Sequence, residues 1–182
     1  SNHNQRALYT PKNSGDITER LLKQNVTGTT STVIAETDLC RSMGGFDESF
    51  PRWNDWDFSL RASQRTKFTL IREPLVNQYT WDGNQLSDNF EKLKTARDRL
   101  LSKHIHLATK LGMESQFRSW TNFGVGIDAG MAGKYKLARG CLFYSIRHCP
   151  TEPRFYIYLM IFSGGKYTLS TAQHVKRSVS RL

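Results

Sequence analysis

The hydrophobic period of the chain changes at about Ser87. From there apolar residues recur at helical spacing almost to the C-terminus, punctuated by Gly133, Pro150 and Ser163-Gly164-Gly165. Before it the elements are short and mixed. Asp16 and Glu19 have capping-box spacing ahead of Leu21 and Leu22, and Thr37 stands where it would cap a helix ending at Gly44-Gly45. A further helix is predicted from about Asp55 to Gln64. The β-branched run 32–35 and the segments 67–71 and 75–80, the last two parted by Glu73-Pro74, are predicted as strands. The expected fold is therefore α/β in front, with a small mixed sheet, followed by an all-α tail of helical hairpins. The division is placed at 1–112 and 113–182.

Charge follows the same division. Residues 1–90 hold 10 Lys/Arg against 11 Asp/Glu, a net −1, and residues 91–182 hold 16 against 5, a net +11. A basic helical surface suits a polyanion or an anionic membrane. The cations are dispersed and no aromatic stacking motif accompanies them, so nucleic acid is not the expected partner. Peripheral contact with a membrane is, with Phe155, Tyr156 and Tyr158 as its aromatic component. The longest apolar run, about 155–162, is too short to cross a bilayer.

The chain has 182 residues, 38% of them hydrophobic, enough for one substantial core or a modest core with a satellite. Cys40, Cys141 and Cys149 form no CxxC pair and no Cys/His cluster, which argues against zinc and against a disulfide framework. Reduced thiols and the absence of secretory patterning predict a cytoplasmic location, extending to the inner membrane face if the basic tail docks there. Ser1-Asn2 reads as a tag scar, as expected of an excised piece.

In the tail, Gly126, Gly133, Tyr135, Ala138, Ser145 and Pro150 fall at the offsets of a tetratricopeptide repeat, which this segment resembles, although Asn122 stands at its usual tryptophan position. A second helical pair is expected at 153–163 and 167–180. One or two such units do not fold well alone and should pack on the preceding residues.

Chemistry concentrates in Gly44-Gly45-Phe46-Asp47-Glu48, Trp53-Asn54-Asp55-Trp56-Asp57-Phe58 and Leu60-Arg61. Carboxylates at a helix N-terminus meet unpaired N–H groups and the positive dipole end, which keeps them ionised. An ionised Asp55 walled by Trp53 and Trp56 is a plausible general base beside a sugar, since rings cover the apolar sugar face while the carboxylate takes a hydroxyl proton. Capping alone would also place aspartates here. Asp57 and Arg61, four apart with the acid first, read as a helix-stabilising pair worth about 0.2–0.5 kcal/mol if exposed.

These motifs, with Glu73-Pro74-Leu75 and Gly83-Asn84-Gln85-Leu86-Ser87, occur in the order and spacing of the second half of family 2 inverting glycosyltransferases, which residues 15–104 resemble. The resemblance implies the acceptor-side half of a GT-A fold. It implies an enzyme moving a sugar from a nucleotide-sugar donor to a hydroxyl of a glycan or lipid-linked acceptor, with inversion. Asp55 matches the family's base, and Trp53, Asn54, Trp56, Asp47, Glu48 and Gly45 would touch substrate. Gly28 to Ser31 matches a loop near the donor sugar. Asn54 stands where an acidic residue is usual. Asp82 replaces a frequent histidine and could ligate Mg²⁺ or Mn²⁺, or simply shape the turn before Gly83. The nucleotide-binding half and its Asp-X-Asp motif are not in the sequence. The expectation is a metal-dependent full-length enzyme, an inactive fragment without tightly bound metal, and an exposed apolar edge open to homodimerisation. The alternative is a non-catalytic module that binds a protein through its helical tail.

Overall fold

The computed structural model describes residues 14–73, 75–76 and 90–165. Its helices are α1 (Thr18–Leu21), α2 (Thr37–Ser42), α3 (Asn54–Ser63), α4 (Phe90–Lys110), α5 (Glu114–Met131), α6 (Tyr135–His148) and α7 (Pro153–Ser163), with a 3₁₀ turn at Thr30–Thr32. Among the described residues there is no strand and no sheet. The expectation of an α/β front half with a mixed sheet is therefore corrected to a helical architecture.

The reason is local at each expected strand. At 32–35, the Thr32 hydroxyl donates to the carbonyls of Thr27 and Thr29, both at 2.7 Å, and accepts from the Thr29 amide. These bonds close a turn in place of a ladder. Ile34 beyond it is 82% exposed, with no neighbouring strand to cover it. Around 67–71 one antiparallel bridge forms, Gly15 with Phe68, through N···O contacts of 2.7 and 2.9 Å. One bridge is not a sheet. Leu75 and Val76 are exposed and irregular, and the rest of the 75–80 segment, like 167–180, lies outside the described residues.

The helices follow the apolar period more than side-chain caps. Asp16 accepts the Thr18 amide at 3.0 Å just ahead of α1, whose N-cap is Ile17 and which buries Leu21, and Thr37, expected as a cap, is the first residue inside α2 after Glu36. Gly44 and Gly45, at φ +73° and +68°, end α2: the Gly45 amide reaches Cys40 O and the Gly44 amide reaches Arg41 O, a Schellman closure. Pro153 opens the first turn of α7, and the Glu152 carboxylate accepts the Arg154 amide.

Two apolar clusters share α4. Leu100 and Ala108 pack with Ile17, Leu21, Trp56, Leu60, Met113 and Phe117; Phe90 and Leu93 pack with Val125, Ala129, Ala138, Leu142 and Phe162. The tail is a helical hairpin, α5 against α6, backed by α7. At Gly126 a Cβ would stand 3.1 Å from Cys141 Cβ and 3.3 Å from Ala138 O, so glycine permits the close crossing. Ser145 Oγ donates across that crossing to Ser119 O at 2.8 Å. Phe162 of α7 lies directly over Gly130.

Candidate functional site

The N-terminus of α3 sets the site. Trp53, at φ 63°, is the one non-glycine residue of positive φ among the described residues, an unfavourable state for a bulky side chain. Packing holds it there: its ring meets Trp56 edge-on at 5.1 Å, lies against Gly124 of α5, and borders both apolar clusters. The first-turn amides take side-chain acceptors, Asp55 N to Asn54 Oδ1 at 2.9 Å and Trp56 N to Asp55 Oδ1 at 2.8 Å.

Asp55 is half-buried. Its Oδ2 accepts Asn25 Nδ2 at 3.2 Å, and that same amide donates to Gly28 O at 3.1 Å. Thr27 Oγ1 is bonded to Asn25 Oδ1 and lies 2.9 Å from Ser59 Oγ. The 25–28 loop is thus moored beside the Asp55 carboxylate. Asn54 and Glu48 are exposed. Trp56 is only 4% exposed, and its indole N–H donates to Leu21 O at 2.6 Å, so its ring is core and has no open face for a sugar.

Asp57 points the other way, into the protein. Arg61 Nε lies 2.8 Å from Oδ2, Lys103 Nζ 3.0 Å and His104 Nε2 2.8 Å from Oδ1. Burial alone would raise this carboxyl, but the hydrogen bonds from His104, Lys103 and Arg61 outweigh it and hold the pKa below the ordinary value. The expected Asp57–Arg61 pair forms, and because Asp57 is buried it is also the centre of a polar cluster with Lys103 and His104.

That cluster shapes the glycine loop. Arg61 donates to Met43 O at 2.8 Å and to Gly45 O at 2.7 Å, tying the end of α2 to α3. Phe46 stacks on Phe58 at 4.7 Å. Asp47 accepts the Ser49 amide and hydroxyl in an Asx turn, and Lys103 reaches its Oδ2 at 2.6 Å. Lys103 and Ser49 hold the Asp47 carboxyl far below its usual range. Gly45 and Asp47 thus have clear packing duties, whatever they touch besides.

Sequence reasoning missed Asn25, Lys103 and His104. For His104 a signal existed: it falls on the buried stripe of α4 with Leu93, Ala96, Leu100 and Ala108. An ionisable residue on an apolar stripe requires a buried partner. Asn25 carried no comparable mark.

Asp82 lies outside the described residues. Among those described, no three His, Cys, Asp or Glu side chains gather so as to hold a metal ion. No described helix is long and apolar enough to cross a membrane. Compared with protein-family models, curated proteins and solved structures, the chain matches none.

Proposed function

We propose that this chain is the acceptor-side part of an inverting glycosyltransferase, with Asp55 as the base that takes the proton of the acceptor hydroxyl. The observation that carries the reading is the convergence at Asn25. One amide bridges the Asp55 carboxylate and the Gly28 carbonyl, joining the two segments that the resemblance places at acceptor and donor sugar. Asp55 keeps partial access to solvent while Asp57 has none, which divides two near-identical carboxylates into one able to meet a substrate and one devoted to structure. The exposed apolar side chains Ile34, Phe46, Ile71 and Leu75 fit a surface that a further part of the enzyme would cover.

The test is sugar transfer by Asp55→Asn in the longest form of the protein that its gene encodes. Asparagine keeps the shape and can still accept the Trp56 amide, but it cannot take a proton and gives up the oxygen that meets Asn25, so transfer falls by roughly 10²–10⁴-fold while the melting temperature falls only slightly. Retained activity would place the base elsewhere.

A second reading rests on a groove of about 830 Å³ along the start of α6, lined by Asn122, Lys134, Tyr135, Leu137, Gly140 and Tyr144. Its size and mainly apolar lining suit an inserted apolar side chain of a partner protein. Under that reading Gly140→Trp, which fills the groove, abolishes association and Asp55→Asn leaves it intact.

A further inference from the structure

We propose that the outward face of α6 docks on an anionic phospholipid membrane. This inference stands independently of the glycosyltransferase reading. From Lys134 to Ser163 the chain carries Lys134, Lys136, Arg139, Arg147 and Arg154 against a single acid, Glu152, and Arg154 Nε already pairs with that acid at 2.7 Å. The segment therefore carries four positive charges in excess, with Arg139 donating to Phe162 O and Lys134 lying over the Phe90 ring.

The fold sorts these residues. Ala138, Cys141, Leu142 and Ser145 are the buried side of α6. Lys136, Gly140, Phe143, Tyr144 and Arg147 recur at spacings of three and four, so they share the opposite side, and all are exposed. Among the described residues neither Lys136 nor Arg147 is ion-paired. Phe143 is 60% exposed, a large ring held in water between cations. This is the composition of an interfacial helix, with rings at headgroup depth and long cationic side chains reaching phosphates. Beside it, α7 exposes Tyr156, Ile157 and Met160.

The aromatic component thus differs from that expected from sequence. Phe155 is fully buried against Trp120 and Phe123, and Tyr158 packs on Phe123 and Phe162. A bilayer is favoured over a nucleic acid because aliphatic Ile157 and Met160 stand beside the rings, and such side chains suit an acyl boundary. An acidic peptide is disfavoured because the cations spread along a helix flank, where a bilayer meets them all at once.

The experiment is co-sedimentation of the full chain with vesicles of phosphatidylcholine alone or with about 30% phosphatidylserine, at low and high salt. Binding is expected only with phosphatidylserine and weakens with salt. Reversing two charges, Lys136→Glu with Arg147→Glu, should weaken it about 25-fold or more, since each lost basic residue costs about fivefold. The control pair Lys67→Glu with Lys110→Glu, exposed and outside α6, should cost clearly less. Phe143→Ser should lose binding and Phe143→Trp keep it, with thermal melts unchanged because the position is exposed. Equal losses in the control pair, equal binding to neutral vesicles, or binding of polyglutamate or oligouridylate in place of vesicles would overturn the proposal.

Discussion

His104 Nε2 lies 2.8 Å from Asp57 Oδ1, bridging 47 positions of sequence, with 4% of the histidine side chain and none of the aspartate reaching solvent. With the carboxyl ionised, that imidazole nitrogen must be the donor. The contact joins α3 to α4 where Lys103 also joins both to the Asp47 loop. A carboxylate that the sequence pairs with Arg61 alone holds three segments together.

The first prediction follows from that commitment. Asp57→Asn leaves Arg61, Lys103 and His104 facing a neutral amide, and breaking a buried charge set in this way costs about 3–5 kcal/mol. Asp47→Asn, on a part-exposed turn, should cost about 1 kcal/mol or less. Urea denaturation of both variants measures the difference. Similar small losses would mean that Asp57 is not the hub. Asp57→Asn is consequently no mild control for Asp55→Asn.

Acid stability should carry the same signature. The folded-state carboxyls of Asp57 and Asp47 are both lowered, Asp57 by bonds that outweigh its burial and Asp47 mainly by Lys103. Their contribution is thus complete above the unfolded carboxyl value of about 3.9 and is lost as pH falls through the folded values. Asp128, raised by burial despite Arg52 3.5 Å away, acts in the opposite sense above that value. Lys103→Met removes a cation from both lowered groups, so the acid limb of the urea midpoint should move to higher pH. An unmoved limb would show that Lys103 does not set it.

Two glycines of the tail should respond oppositely to alanine. At Gly130 an added Cβ would overlap the buried Phe162 ring, and overpacking of this kind costs about 1–3 kcal/mol. At Gly140, inside α6, nothing lies within 4 Å of the added atom, and the gain in helix propensity is about 0.5–1 kcal/mol. Thermal melts of the two variants test both signs at once. Destabilisation by Gly140→Ala would mean that its apparent space is filled by something it contacts.

Much of the helical tail could be read directly from the chain. Pro153, the Ser163-Gly164-Gly165 break and the apolar period delimit α7 at Pro153–Ser163, and Gly44-Gly45 marks the end of α2. Capping, glycine at positive φ and 3.6-residue periodicity act over a few neighbours, so a linear pattern states them fully. The expected strands had no such self-sufficiency. A β-branched run becomes a strand only when another segment supplies its ladder, and Gly15 supplies Phe68 with a single bridge. The partners of Asp55 and Asp57 could not be read locally for the same reason. Two residues apart on α3, one turns toward Asn25 and partial exposure, the other toward His104, Lys103 and burial. Local sequence put carboxylates at a helix N-terminus; which of them is buried was decided by Lys103 and His104 of α4, which reach Asp57 from more than forty residues away, while Asp55 meets Asn25 and keeps partial exposure.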